Sequence, residues 1–511
     1  MALLIDLDMK WKRMTNMKKL KFIRIFSALL VMCIFMPVDS FAQSNESSKP
    51  KKQTVYKKAR VLQTATAKKI AKVTEALERV KIVEIKDTNK ESETYEQMIP
   101  TEEPDPDMPT VIKILTEMRS KASDMKSYDR SIMWNYWGYV YYTEEDYPQA
   151  IKAYTKVIDE EEVTLPLRNG TLLTLATLHM VEENYRKGIE LILVWMDEVE
   201  TVTAQSWSLL ATAYFQIEDY NKALDASITA VDMAAIEGYT PKENWYVIMA
   251  ACYEELKKKI GEKEALLKQL DIYEILVNLY PKKRYFLQLG QTYGVLEREK
   301  DYMIALNAAY QSDYLDKEGE YLTLAQLLLM NGNPYWAASV IVSGQEKEVL
   351  VTNQKTKKEE LKPVVKDTEK NLKLLADSWR MAQEIDKAIP VLEKAAKISE
   401  DGETYVLLGN LYLSEDKLNK AVDAIQKGIK KGKLKKISQA HLTLGQAHYE
   451  LQNFEEAKKQ FRMAARDKDK KIKKTANSWI KYTENEESRA KNLELSRAKN
   501  LELRRNYIKQ S

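Results

Sequence analysis

The chain has 511 residues, 80 basic and 76 acidic side chains, three histidines and two cysteines. An apolar content of 44% excludes a disordered tail, and the scarcity of Gly (15) and Pro (13) speaks against many-turned β architectures and for helices joined by short loops. The net charge of +4 lies wholly in residues 1–42, which hold seven basic and three acidic side chains, so the remainder is neutral and a general attraction to nucleic acid loses its support.

In chain order, Met17 to Arg24 is a short basic stretch. It is followed by the apolar run Ile25 to Met36, then Pro37, then Ser40, Phe41 and Ala42. A basic start, an apolar centre, a helix breaker and small residues three and one before the break predict a secretory signal cleaved after Ala42. The apolar run is shorter than the roughly 20 residues that span a bilayer. The expected location is therefore outside the cytoplasm. Residues 43–110 read as a leader: polar from Gln43 to Thr54, one helical segment near Val55 to Val83, then an acidic and Pro-rich linker from Thr101 to Asp107. Val111 to Met125 reads as a helix capping the block that follows.

From residue 111 the dominant signal is self-similarity. A large residue, an apolar residue with a small one behind it, and an aromatic share one helix. A small residue, a bulky one four on and a small one three beyond that share the next. Trp134, Trp137, Gly138 and Tyr141 with Ala150, Tyr154 and Val157 show the pattern, as do Trp207, Leu210, Ala211 and Tyr214 with Ala223, Ser227 and Ala230. It returns around Ala176, Gly290, Ala325, Ala376 with Ala388, Gly409 with Tyr412 and Ala421, and Gly445 with Ala457; a weaker copy spans Trp245 to Pro281. Spacings of three and four put these residues on one helical face, and the small residue lets the paired helix approach closely.

Nine such units at a period near 34 residues match the tetratricopeptide repeat. They predict an all-α, right-handed superhelical solenoid of helix-turn-helix repeats, in which each pair leaves an apolar side for the next to cover. The step from Ala325 to Ala376 is 51 residues, and its excess falls in a charged insertion at 345–368. The blocks are thus 111–344 and 369–482, the latter closed by a cap helix near Ile472 to Tyr482. Residues 483–511 form a polar helical tail in which Ser488–Leu495 recurs as Ser496–Leu503. Pro148 and Pro334 open second helices, whereas Pro390 lies deep enough to bend or delay its helix.

A repeat array of this kind binds partners along the groove lined by first-helix residues next to the packing positions. Here these are Asn135, Tyr139 and Tyr142, then Ser208, Thr212 and Phe215, then Asn410, Leu413, Gln446 and Tyr449. The aromatic members favour an extended or helical protein segment. A carboxylate clamp needs Lys followed by Asn, but Lys373 is followed four residues on by Asp377.

No catalytic or metal site is predicted. His179, His441 and His448 all occupy packing slots, and no phosphate loop, Cys-x-x-Cys or His-Glu-x-x-His occurs. Cys252, the one cysteine beyond the signal, reads as a buried small hydrophobe. No cofactor, small-molecule substrate or nucleic acid is expected.

Beyond the generic repeat, a set of segments occurs in order: Ser127 to Asn135 running into Gly138 to Pro148, Lys242 to Trp245, Leu279 to Lys283, Asn371 to Ala376 and Gln439 to Leu442. In these the chain resembles the exported tetratricopeptide proteins that accompany TonB systems of Gram-negative bacteria. The resemblance implies a non-enzymatic periplasmic scaffold working with TonB, ExbB and ExbD in iron-carrier uptake, with any membrane association only indirect. The alternative is an exported scaffold or chaperone for cell-envelope or outer-membrane assembly.

Overall fold

The computed structural model describes residues 60–86, 96–352 and 358–510. The expected export signal, its cleavage site and the polar start of the leader lie outside these residues. The chain divides into two compact units, one up to Ile272 and one from Tyr273.

In the first unit the elements are α1 (Thr64–Leu77), β1 (Val80–Lys86), β2 (Met98–Pro104), α2 (Met108–Arg119), α3 (Ser127–Thr143) and α4 (Tyr147–Asp159). Then come α5 (Leu165–Val181), α6 (Tyr185–Glu198), α7 (Ala204–Gln216), α8 (Tyr220–Ile236) and α9 (Glu243–Ile260). Helix α10 (Glu262–Leu279) contains the division. The second unit continues with α11 (Lys283–Val295), α12 (Glu299–Gln311), α13 (Glu318–Met330), α14 (Pro334–Glu346), β3 (Glu348–Thr352) and β4 (Glu359–Pro363). It ends with α15 (Glu369–Met381), α16 (Ile385–Ile398), α17 (Glu403–Ser414), α18 (Leu418–Lys431), α19 (Ile437–Glu450), α20 (Phe454–Ala464) and α21 (Lys470–Gln510).

Consecutive helices pair as antiparallel hairpins, and the small position decides how closely. A Cβ on Gly138 would lie 2.6 Å from the Tyr154 ring, and one on Gly445 2.5 Å from the Phe461 ring. On Gly409 it would lie 2.3 Å from Ile425 Cγ1. In these hairpins the bulky residue of the second helix fills the space the glycine leaves. At Gly290 the facing bulky position is the small Ala309, and Tyr302 fills the gap instead, 2.9 Å from a Cβ there. Where the small residue is alanine, as at Ala176, Ala211 and Ala325, it is fully buried.

One turn joins the two helices of eight hairpins. The Glu145 N–H donates to the Tyr142 carbonyl (3.1 Å) and the Asp146 N–H to the Tyr141 carbonyl (2.9 Å). The same two bonds recur at Glu183 and Asn184, Glu218 and Asp219, Glu297 and Arg298, Gly332 and Asn333, Gln383 and Glu384, Asp416 and Lys417, and Gln452 and Asn453. This closure needs a left-handed residue, yet only Gly332 is glycine; Glu218 adopts φ 63°. Replacing the exposed Glu218 with glycine is therefore expected to raise stability by about 0.5–1 kcal/mol through relief of the left-handed strain. Thermal unfolding measures it; an unchanged or lower midpoint refutes the strain argument. Asp146 and Asp219 then cap the second helix, accepting from the N–H groups of Gln149 (3.2 Å) and Lys222 (3.4 Å).

Several expectations are corrected. The segment 55–83 is not one helix: within the described residues α1 ends at Leu77 and β1 follows. The linker at 101–107 is in part strand β2, which pairs antiparallel with β1 in the register Ile82 to Glu102. The first described helix pair follows the repeat spacing: Ile70, Val73, Thr74 and Leu77 on α1 and Val111, Leu115 and Met118 on α2 stand at the seven packing positions, and Val73, Leu77, Val111, Leu115 and Met118 form one buried cluster with Met133, Trp137 and Val140 of α3, against which Ile70 packs. The charged insertion likewise holds an antiparallel hairpin, β3 with β4, pairing Leu350 with Leu361. The all-α array thus carries two small β-hairpins. In the weak unit Tyr246 and Ala250 on α9 and Ala265, Gln269 and Ile272 on α10 are buried, while Trp245 packs with Ala204, Ala230 and Ala234. Gln269 donates its amide to the Ala250 carbonyl (3.0 Å). Pro390 does not delay its helix, which begins at Ile385 and runs through it. The cap helix near 472–482 and the tail are one helix, α21, of 41 residues. It covers the last repeat by stacking Trp479 on Phe461 (ring centroids 5.5 Å). Beyond Asn492 every described side chain is exposed.

Candidate partner-binding surface

The expected groove residues fall into two sets, one in each compact unit. In the first unit, Tyr139 and Tyr142 are half-buried on α3, with Asn135 one turn before Tyr139. Burial pushes both phenols above their ordinary pKa, and Tyr142, whose ring lies 6.1 Å from that of Tyr147, is raised further by its neighbours Tyr147 and Glu145. Such rings offer a flat apolar surface with a hydrogen-bonding tip, which suits capture of a protein segment. On α7, Phe215 is half-buried and meets Tyr220 edge-on at 5.4 Å. Thr212 donates its hydroxyl to the Ser208 carbonyl (2.9 Å). Ser208 itself is only 3% exposed, so it belongs to the packing and not to the groove.

In the second unit Asn410 is exposed on α17, while Leu413 lies half-buried against the core. Gln446 is half-buried on α19. Tyr449 is enclosed by Phe454, Trp479 and Tyr482, with ring centroids 5.4 to 5.9 Å away. Helix α21 thus packs Trp479 and Tyr482 against Tyr449, which stays half-buried, because the closing helix occupies the place a next repeat would have. The sequence reading also passed over Val295, Met330 and Met381, which are 56%, 65% and 49% exposed. Each stands two residues after the aromatic slot of its first helix, and that recurrence was the available signal.

Ion pairs fix the loops between repeats. Arg130 on α3 donates to both Glu160 oxygens (2.8 and 2.7 Å) and to the Met125 carbonyl (2.6 Å). Arg168 on α5 repeats this with Glu198 and the Ile158 carbonyl (3.0 Å). The guanidinium fork matches a carboxylate at the end of the second helix.

Among the described residues no group of His, Cys, Asp and Glu could hold a metal ion, and no helix is long and apolar enough to cross a membrane. His179 is half-buried, His441 meets Gln460 through Nδ1 (2.9 Å), and His448 is buried with neither ring nitrogen partnered. Cys252 is fully buried and desolvation pushes its thiol up to about 12. Native protein is accordingly expected to leave Cys252 unmodified by a thiol-specific disulfide reagent until denaturant is added. Rapid stoichiometric labelling in buffer, read by absorbance, contradicts this.

The tetratricopeptide repeat family model matches residues 406–471, which span α18, α19 and α20 with most of α17. No curated protein gives a significant match. Among solved structures the chain is similar to MamA at 21% identity, covering 34% of this chain and 94% of that one with a TM-score of 0.28. It is similar to YrrB, described as a tetratricopeptide protein with an unusual peptide-binding site, at 15% identity, 39% and 91% coverage and a TM-score of 0.29. The Naa15/Naa10 complex bound to HypK-THB is 17% identical over 75% of this chain and 61% of that one, with a TM-score of 0.32. The segment at 406–471 displays the same packing positions and the same turn as the other hairpins, so the helical array is built of tetratricopeptide-type repeats.

Proposed function

We propose that this protein is an exported scaffold that holds a protein partner of a TonB, ExbB and ExbD energy-transduction system and so supports iron-carrier uptake across the outer membrane. What supports the reading is the ordered run of segments from Ser127 to Leu442 that resemble those of the TonB-associated family, several of which fall on first helices. The secretory pattern at Met17 to Ala42 supports a periplasmic location. The aromatic surface of Tyr139, Tyr142 and Phe215 supports an apolar protein segment as the bound element. Desolvated rings of this kind dominate protein recognition.

Deleting the gene should impair growth when iron is supplied only as a siderophore complex, and the tagged protein should copurify with the TonB complex. A Tyr139→Ala/Tyr142→Ala variant should fold and yet lose the copurified partner. Normal siderophore-dependent growth together with no TonB-complex copurification sinks the reading.

A further inference from the structure

The neutrality of the chain beyond residue 42 conceals a strong segregation of charge. Residues 127–240 hold 19 acidic and seven basic side chains, whereas residues 427–511 hold 23 basic and ten acidic. The basic excess is densest in two loops. The first, 430–436, joins α18 to α19 and carries five lysines and no acid. The second, 466–474, joins α20 to α21 and carries one arginine, five lysines and two aspartates. Both connect a second helix to the first helix that follows, so they emerge on the same edge of adjacent hairpins. They are tied side by side, since the Ser438 hydroxyl at the start of α19 donates to Asp467 and holds its carboxyl below the usual range.

The two aspartates are engaged within their own loop. Asp467 accepts from the Asp469 N–H (2.8 Å) and Asp469 from the Lys471 N–H (2.7 Å). All the lysines of both loops are exposed, and among the described residues none forms an ion pair. Leu434, Ile437 and Ile472 lie among them, with Ile437 49% exposed.

We propose that these two loops form a docking edge for an anionic phospholipid surface, which places the repeat array at a membrane face without inserting it. Composition favours this partner over others. Protein interfaces are depleted in lysine and enriched in arginine and aromatic residues, the reverse of this edge. Surfaces for single-stranded nucleic acid interleave aromatic side chains for stacking, and neither loop contains one. Flexible, strongly hydrated ammonium groups instead suit a diffuse layer of headgroup charge, where each lysine adds to the attraction and salt weakens it. Ile437 adds a single apolar contact. The inference stands apart from the TonB reading, because vesicle binding is read without any protein partner.

The full chain lacking residues 1–42 is expected to cosediment with phosphatidylglycerol-containing vesicles at low salt, and not with pure phosphatidylcholine vesicles. Binding should vanish at about 0.5 M salt. The variant Lys470→Gln/Lys471→Gln/Lys473→Gln/Lys474→Gln should bind about 100-fold more weakly with unchanged helicity, because cations at the start of α21 oppose its dipole and are not needed for folding. Replacing Lys433, Lys435 and Lys436 with glutamine provides a second, independent variant. Equal binding to neutral vesicles, or undiminished binding by both variants, overturns the proposal. Tighter binding to a DNA duplex at the same salt, or salt-sensitive self-association without vesicle binding, overturns it in favour of a nucleic acid or a second copy.

Discussion

Gly402→Ala is expected to destabilise the second unit by about 3 kcal/mol, the largest effect of any single methyl group considered. Gly402 precedes α17, and a Cβ there would stand 2.0 Å from the carbonyl oxygen of Gly428 on α18. The opposing atom is backbone, so no rotamer change can relieve the overlap, and the Gly402 N–H is already tied to the Gly432 carbonyl (2.9 Å). The two chain segments can separate only by breaking that bond and opening the packing of α17 on α18. Gly170→Ala is the control: nothing lies within 4 Å of a Cβ there, and the residue sits inside α5. That change should instead stabilise by about 0.5–1 kcal/mol through helix propensity. Urea unfolding of both variants decides, and equal midpoints would show that the close approach is not a packing constraint.

His448→Leu is expected to stabilise the last repeat by about 1–2 kcal/mol and to remove part of the acid sensitivity of the chain. The imidazole is 6% exposed, and both of its nitrogens lack a hydrogen-bond partner. Burial holds its pKa below the ordinary value, with Lys459 acting in the same direction and Glu456 against it. The folded state therefore prefers the neutral ring, and the unfolded state binds the proton more readily. Stability from this group is complete above about pH 6.5 and declines as pH falls below it toward the folded-state pKa. His179, also shifted down by burial, contributes in the same sense. Thermal midpoints between about pH 7.5 and pH 5 should fall for the parent chain and fall less for the variant. Parallel curves would assign the acid sensitivity to other groups.

The packing positions were legible because they are chemical necessities: a small residue where helices cross, a large one facing it. The repeat made by α1 and α2 escaped notice for two reasons. Thr74 stands at the small position, and its turn is replaced by the β1–β2 hairpin, which breaks the period. The hairpins themselves carry a weak signal, since a two-stranded sheet with Ile82 73% and Leu350 66% exposed has no buried face to impose strict alternation. The groove was legible where a side chain depends on its own helix, as for Tyr139 and Tyr142, and not where a neighbour decides. Ser208 disappears into packing, and Tyr449 meets Trp479 and Tyr482 of α21, a contact that the pattern of its own helix does not announce. Net charge was the least informative quantity, because a sum over the chain is blind to where the charges sit.

The feet of the two β-hairpins are closed in a way that separates them from the helices they interrupt. The Asp105 N–H donates to the Arg79 carbonyl and the Asp107 N–H to the Ala76 carbonyl, both at 2.8 Å. The N–H groups of Val364 and Val365 do the same to Lys347 and Gly344, again at 2.8 Å. Chain therefore leaves and re-enters each site at neighbouring points; Val349 on β3 still packs against the helical core, whereas Ile82 and Leu350 farther out are exposed. These are two ports at which length can vary freely, so either could carry a grafted epitope or a whole reporter domain while the repeats keep their register.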